Sequence, residues 1–203
     1  MKQTDLFTRL YIGSEWIAKI VYINLLWIVF TLAGLIIFGI FPSTIALLMC
    51  FKNWLSKDTD ENDFPIFKTF LKNYKDEFFK SNKVGIVFII IGFILCVDIV
   101  YIAQFHSELM KALTIVFISI SIVYLYALIY SLVIYVNVTA SVKLILKKSL
   151  LYSAAHPYRG LLIVCLIIGL LILSLYFPVA ILLFSFSLAG FFMIKFSNPI
   201  FNM

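Results

Sequence analysis

Asp98 is the acidic residue that falls within a predicted membrane span, and it is the side chain best placed to do chemistry. A carboxylate in hydrocarbon is costly, so such a residue is a candidate site for a proton or a cation. Helical rise places Asp98 about 5 Å from the middle of its span, toward the outer end. The alternative is that the span is shifted and that Asp98 reaches the outer membrane surface near Gln104 and His106.

Hydroxyl side chains follow two faces of the fourth apolar segment. One face carries Ser121, Tyr124, Ser131 and Tyr135, and the other carries Ser119, Tyr126, Tyr130 and Asn137. Hydrogen bonds between helices explain this pattern without a ligand. A path for a small solute, lined by tyrosine hydroxyls, is the alternative. The candidate intramembrane polar site consists of Asp98, Tyr124, Ser131 and Tyr135.

Motifs typical of enzymes are missing from the sequence. It contains no phosphate-binding Gly-x4-Gly-Lys-Ser/Thr loop, no Gly-x-Ser-x-Gly and no His-Glu-x-x-His. His106 and His156 are far apart and predicted on opposite sides of the membrane, so no metal cluster is visible. The three cysteines, which are Cys50, Cys96 and Cys165, are predicted to be buried, inert thiols. We expect no enzyme activity, no catalytic or metal-binding residues and no cofactor.

Composition indicates a protein that crosses the membrane several times. Of the 203 residues, 64% are hydrophobic and only 13% are charged, whereas a soluble domain is about half apolar and a quarter charged. Several apolar runs reach the ~20 residues needed to span a bilayer. The net charge of +6 is typical of basic loops near an anionic leaflet. The expected partner is therefore the lipid bilayer; nucleic acid would need a denser basic face.

The first apolar run is too long for a single span. Residues 20–51 carry no charge, and one helix of that length would run ~48 Å, beyond the thickness of the bilayer. Gly34, Gly39 and Pro42 supply a turn, because glycine permits tight backbone and proline is tolerated in the first turn of a helix. We predict a hairpin here. The alternative is one span followed by an interfacial helix over residues 43–55.

Counting basic residues favours six spans. With six spans, fifteen of the sixteen Lys and Arg residues fall on one side, whereas five spans give twelve and four. Because basic residues favour the cytoplasmic side, we predict six spans with both termini inside a bacterial cytoplasmic membrane. The fold class is an all-α transmembrane bundle, one domain over residues 1–203. The predicted spans are 17–38, 39–54, 84–105, 112–135, 160–175 and 179–194, and the inner loops are 55–83 and 137–159.

The larger inner loop contains a second helical pattern. After Pro65, aromatic residues recur on one helical face and lysines fall on the others. A basic helix with an aromatic stripe is typical of the membrane surface. A helix that packs on the bundle is an equal alternative. The aromatic face consists of Phe67, Phe70, Tyr74 and Phe78.

A turn motif, a short basic helix and a Phe-rich helix follow one another in the first 85 residues. The motif reads Gly34…Phe38-Gly-Ile-Phe-Pro-Ser-Thr-Ile-Ala-Leu47, and Lys52-Asn-Trp54 and Phe64…Phe67-Lys…Phe70…Asn73-Tyr-Lys75 come after it. Over residues 5–85 this arrangement resembles the YesL-like family of integral membrane proteins of Firmicutes. The later spans match that family only in hydropathy and in a His-Pro-x-Arg sequence at 156–159. Phe41 departs from the small residue that the family has before the proline.

The resemblance implies a role but no mechanism. The YesL-like family has no established biochemical activity, so no functional residue is carried over to this chain. Its members often accompany carbohydrate uptake systems. The resemblance therefore implies an accessory or regulatory component of oligosaccharide uptake, near an ABC-type sugar transporter or a membrane sensor.

Overall fold

A computed structural model gives the arrangement of the helices. It describes residues 2–55, 65–105, 107–177, 179 and 181–201. The acidic sequence at residues 58–63, His106 and Pro178 lie outside the described residues. Helices are the regular elements of the described part: α1 Lys2–Ala33, α2 Ile37–Leu55, α3 Ile66–Ile102, α4 Glu108–Asn137, α5 Val142–Ala155, α6 Pro157–Tyr176, a π-helical turn Ile181–Ser185 and α7 Phe186–Phe201.

Helices α1 and α2 pack side by side and form a hairpin. Near the open end of the hairpin, the rings of Trp16 and Trp54 are 4.6 Å apart. Nearer the tip, the indole N–H of Trp27 donates a hydrogen bond of 3.1 Å to the hydroxyl of Thr44. These contacts favour the hairpin over the alternative of one span and an interfacial helix. Both arms, Gly13–Ala33 and Ile37–Leu55, are long and apolar enough to cross a membrane.

The turn of the hairpin lies at residues 34–36, before the predicted boundary at 38/39. Its left-handed residues are Leu35 and Ile36, with φ of 55° and 63°. This conformation costs a non-glycine residue roughly 1–2 kcal/mol, so the contacts around the turn must offset strain. Pro42 is the sixth residue of α2 rather than part of its first turn.

The two glycines of the turn motif allow close helix packing. A Cβ atom on Gly39 would lie 2.8 Å from the Thr31 Cα atom in α1. A Cβ atom on Gly34 would lie 2.7 Å from the backbone nitrogen of Gly39 and 2.8 Å from the Tyr74 hydroxyl. Contacts under 3 Å are not tolerated, so any side chain here forces the helices apart.

Helix α3 joins the predicted loop helix and the third span into one element. It runs without a break over 37 residues, about 55 Å by helical rise. Helix α4 runs back beside it over 30 residues. Buried residues occur only up to Phe88 in α3 and only from Ala127 onward in α4. The described chain therefore divides into a packed body and a two-helix arm. We call residues 89–102 and 108–126 the α3–α4 arm.

The tip of the α1–α2 hairpin reaches only the middle of α3. The tip meets α3 between Tyr74 and Gly85, the latter against the ring of Phe41. Six full spans would instead bring the tip level with the far end of α3 at residue 102. Four described helices are long and apolar enough to cross a membrane. The number of candidate spans rises to five if the bent pair α5–α6 is counted as one span. The prediction of six spans is therefore not confirmed.

The last predicted spans are bent or short. Helix α4 does not continue into the second inner loop, because the chain is non-helical from Val138 to Ser141. Helices α5 and α6 meet at an angle of 95°, since Pro157 disfavours helical backbone at the preceding His156. The hydroxyl of Tyr130 donates to the His156 carbonyl at 2.6 Å and holds this corner. The last apolar stretch, Leu183–Phe196, is about 21 Å long and shorter than the hydrocarbon core.

The cysteines differ from the prediction of buried thiols. Cys50 is buried in α2, whereas Cys96 and Cys165 are exposed on α3 and α6. All three are free thiols in this structure. Cys96 lies on the side of α3 that faces α4, and Cys165 lies on α6, so Cys50 alone of the three is buried.

Candidate functional site

A hydrogen bond from α3 compensates for the proline inside α2. Pro42 has no N–H group, so the carbonyl of Phe38, four residues earlier, lacks its usual partner within the helix. The Asn82 side-chain amide donates to this carbonyl at 2.9 Å and to the Phe78 carbonyl at the same distance. Asn82 is buried, with 8% of its surface exposed. We call Phe38, Pro42 and Asn82 the proline lock.

The aromatic face of the predicted loop helix packs on the hairpin. The ring of Phe30 in α1 lies 5.2 Å from Phe70 and 4.9 Å from Tyr74. The hydroxyl of Tyr74 donates to the Phe30 carbonyl at 3.1 Å. Phe70 is buried and Phe67 remains exposed. The structure thus brings Phe70 and Tyr74 against α1, next to Phe78, whose ring is 5.6 Å from Tyr74.

Two members of the candidate polar site bond to backbone carbonyls. Tyr124 donates to the Phe88 carbonyl of α3 at 2.8 Å, and a Cβ atom on Gly92 would lie 2.5 Å from the same hydroxyl. Ser131 is buried and donates to the Leu128 carbonyl of its own helix at 2.7 Å. Both hydroxyl hydrogens are therefore used: that of Tyr124 links α4 to α3, and that of Ser131 bonds within α4.

Tyr135 belongs to a separate cluster of charged residues. Its hydroxyl donates to a carboxylate oxygen of Glu77 at 2.6 Å. The ammonium group of Lys80 lies 4.9 Å from the centre of the Tyr135 ring. Beside it, Lys52 donates to the Val136 carbonyl at 2.9 Å, near the end of α4, where a cation is favoured by the helix dipole. This junction cluster joins α2, α3 and α4.

The junction cluster gives a direct stability prediction. We expect Tyr135→Phe to lower the free energy of unfolding by about 2 kcal/mol, because a partly buried carboxylate loses its hydrogen-bond donor. Tyr126→Phe on the same helix is the matched control, since the Tyr126 hydroxyl bonds to no residue that the structure describes. Thermal unfolding in detergent measures both variants. Equal unfolding temperatures for the two would contradict the role of the Tyr135–Glu77 bond.

Asp98 stands apart from the other members of the candidate polar site. It is part-exposed, and it makes no hydrogen bond or ion pair with any residue in the described ranges. By helical rise it lies about 15 Å along α3 from the carbonyl of Phe88 that binds Tyr124, and about 31 Å from Glu77. The four predicted residues are thus distributed along α3 and α4 and do not form one cluster.

A cavity of about 220 Å³ lies between α2, α4, α6 and α7. Its lining is almost entirely apolar and includes Leu47, Leu128, Leu132, Ile167 and Met193. The hydroxyl of Thr44 at its edge is occupied by Trp27 and the Ile40 carbonyl. A sugar would lose its hydrogen bonds to water here without replacement. The cavity therefore suits hydrocarbon and not a carbohydrate.

Sequence reasoning missed Asn82, Glu77, Lys80 and Lys52. A signal for Asn82 was present, because a proline within a helix always leaves a carbonyl that needs a donor. Asn82 also lies eight residues after Tyr74, on the same face of α3. No comparable signal marks the junction cluster, since its members come from three helices.

A protein-family model matches part of the chain. Residues 20–99 match the family described as "Protein of unknown function, DUF624". This region holds the hairpin from Ile20 onward, the proline lock and the first 34 residues of α3. No solved structure is significantly similar to the chain.

Three proteins of Bacillus subtilis (strain 168) are similar over most of the chain. The uncharacterized protein YteU is 35% identical over 179 residues, which cover 87% of this chain and 78% of YteU. The uncharacterized protein YesV is 34% identical, covering 82% of this chain and 77% of YesV. The uncharacterized protein YesL is 29% identical, covering 92% of this chain and 87% of YesL. The chain belongs to the YesL-like family of proteins, and it carries the region described as DUF624, a protein of unknown function.

Proposed function

We propose that the chain is a non-catalytic accessory or regulatory subunit of the bacterial cytoplasmic membrane. It binds another membrane protein that serves carbohydrate uptake, an ABC-type sugar transporter or a membrane sensor. The link to carbohydrate comes from the resemblance to the YesL-like family. Lysines in the N-terminal half of α3 and in α5 support a cytoplasmic location for those segments.

The observation that carries this proposal is the exposed α3–α4 arm. Large apolar side chains cover the surface of the arm, among them Phe93, Tyr101 and Ile115 at 69%, 62% and 66% exposure. Lipid can cover such side chains. The fold does not require another part of the chain to cover them, because the buried residues lie in the body. Tyr124 and Tyr126 at the base of the arm lie against Phe88 and Gly160 of the body, but no residue of the arm is buried. The outer surface of the arm is therefore free to lie against a second protein within the membrane.

A path for a small solute along α4 has less support than an accessory role. The hydroxyls of Tyr124 and Ser131 donate to backbone carbonyls, and that of Tyr135 donates to Glu77. The candidate path therefore lacks free hydroxyl donors at these positions. Asp98, the other member of the path, is remote from the hydroxyls of Ser131 and Tyr135.

Uptake measurements test the accessory role. In the native host, we expect deletion of the gene to lower uptake of radiolabelled maltotriose, cellotriose or xylotriose at least severalfold, and the intact chain to restore it. Uptake of glucose is the matched control and is expected to remain unchanged. The purified chain in liposomes is expected to give no flux of the affected sugar, because it acts through a partner.

Two outcomes would overturn the proposal. Unchanged uptake of every oligosaccharide in the deletion strain would remove the link to carbohydrate. Flux of a sugar through liposomes that contain the purified chain alone would instead assign transport to the chain itself.

A further inference from the structure

We propose that the face of α3 around Asp98 is a docking site for a transmembrane helix of another protein, and that this helix carries a lysine or arginine that pairs with Asp98. The inference rests on the proposed function, since it identifies the surface through which the accessory subunit binds its partner. The depth of Asp98, its apolar neighbours and its lack of a partner among the described residues support this inference.

Asp98 lies deeper along the arm than the charged pair at its end. The hydroxyl of Tyr124 bonds to the Phe88 carbonyl and touches Gly92. Position 124 of α4 therefore lies beside positions 88–92 of α3. From that level Lys111 lies about 20 Å, and Asp98 about 9–15 Å, toward the 103–107 connection. The Lys111–Glu108 ion pair of 2.7 Å is well exposed at the start of α4. Asp98 is thus roughly 5–11 Å deeper than this pair.

Asp98 belongs to an apolar face that no described part of the chain covers. Three apolar residues share its side of the helix because of their spacing: Ile91 lies seven residues before Asp98, Ile94 four residues before it and Tyr101 three residues after it. They are 41%, 52% and 62% exposed. The side of α3 that packs on α4 is a different one and carries Gly92, Cys96 and Ile99. The carboxylate therefore projects toward the space outside the chain.

The charge decides the kind of partner. A carboxylate at this depth is expensive unless it is paired or protonated, and the side chain of aspartate is too short to reach water from there. Within the described ranges Asp98 has no partner. Among the described residues, the cation that a second copy of the chain offers near this face is Lys111, and Lys111 is already paired with Glu108. A foreign transmembrane helix with a basic residue satisfies both the charge and the apolar neighbours.

Photo-crosslinking in native membranes tests the proposal. A benzophenone amino acid replaces Ile94 on the Asp98 face or, as a matched control, Val100, which is 58% exposed on the opposite face. We expect an adduct from position 94 and little from position 100. Asp98→Asn is expected to lower the adduct about tenfold or more, because one partner of an ion pair in hydrocarbon is lost. Asp98→Glu is expected to retain most of it.

The crosslinked protein decides whether charge pairing is the reason. Supporting results are a basic residue within its transmembrane segment and recovery of the adduct when Asp98→Lys is combined with an acidic replacement of that residue. Asp98→Asn is expected to fold normally, since no hydrogen bond is lost, and its unfolding temperature checks this. The inference is overturned if the adduct is insensitive to Asp98→Asn or is equal at positions 94 and 100. It is also overturned if the adduct forms with a second copy of the chain or with a helix that lacks a basic residue.

Failure of this inference is distinguishable from failure of the proposed function. If the chain still co-purifies with a membrane protein in constant ratio while position 94 gives no adduct, only the docking face is wrong. If neither an adduct nor a constant partner is found, the accessory role fails as well.

Discussion

Replacing Gly39 with alanine is expected to lower the free energy of unfolding by about 3 kcal/mol, as severe overpacking does. The added Cβ atom would lie 2.8 Å from the Cα atom and 2.9 Å from the carbonyl carbon of Thr31. These are backbone atoms of a helix, so they cannot rotate away as a side chain can. The alanine gains at most ~1 kcal/mol from helix propensity. For a chain of this size, the net loss corresponds to roughly 6–12 °C in unfolding temperature.

Gly169→Ala in α6 is the matched control for this substitution. No atom lies within 4 Å of the Cβ position at Gly169, so only the gain in helix propensity applies there. We expect this variant to unfold at the same temperature as the natural chain or slightly higher, measured by light scattering of the protein in detergent. If Gly39→Ala unfolds at the temperature of Gly169→Ala, the close packing of α1 on α2 is refuted.

The second large effect concerns the proline lock. We expect Asn82→Leu to lower the free energy of unfolding by about 2 kcal/mol, because the Phe38 carbonyl then has neither the N–H of residue 42 nor the Asn82 amide as a donor. Pro42→Ala restores a backbone N–H four residues after Phe38. In the Pro42→Ala background, the cost of Asn82→Leu is therefore expected to fall by about 1 kcal/mol or more.

A double-mutant cycle measures this coupling. Ser81→Ala provides the control, because the Ser81 hydroxyl donates to the Phe78 carbonyl of its own helix at 3.3 Å and does not reach Phe38. Its cost is expected to be the same with proline or alanine at position 42. An Asn82→Leu penalty that does not depend on residue 42 would show that Asn82 stabilises the chain for another reason.

Length and hydropathy were sufficient to predict the hairpin. An uncharged stretch longer than the bilayer must break, and tryptophans at both ends favour one interface. The position of the turn was not predictable from local preferences. These disfavour Leu35 and Ile36 in left-handed backbone. The close approach of Gly34 to Gly39 permits the turn, and the Tyr74 hydroxyl of α3, which lies against Gly34 and bonds to Phe30, adds a tertiary contact.

Charge counting treats every apolar run as a complete crossing, and the described helices do not confirm the six spans that it predicts. The hairpin tip instead meets α3 halfway along its length, and the corner at His156 bends the α5–α6 pair. Helical spacing places polar residues on two faces of α4. It gives no information about partners on other helices, so the bonds from Tyr135 to Glu77 and from Asn82 to Phe38 required the folded structure.

The central claim is that the chain works bound to another membrane protein. We would extract the tagged chain from native membranes into polymer-bounded lipid nanodiscs and determine the ratio of its co-purifying proteins by quantitative mass spectrometry. The account predicts one other integral membrane protein in a fixed, near-integral ratio to the chain. Nanodiscs that contain the chain and lipid alone would contradict it.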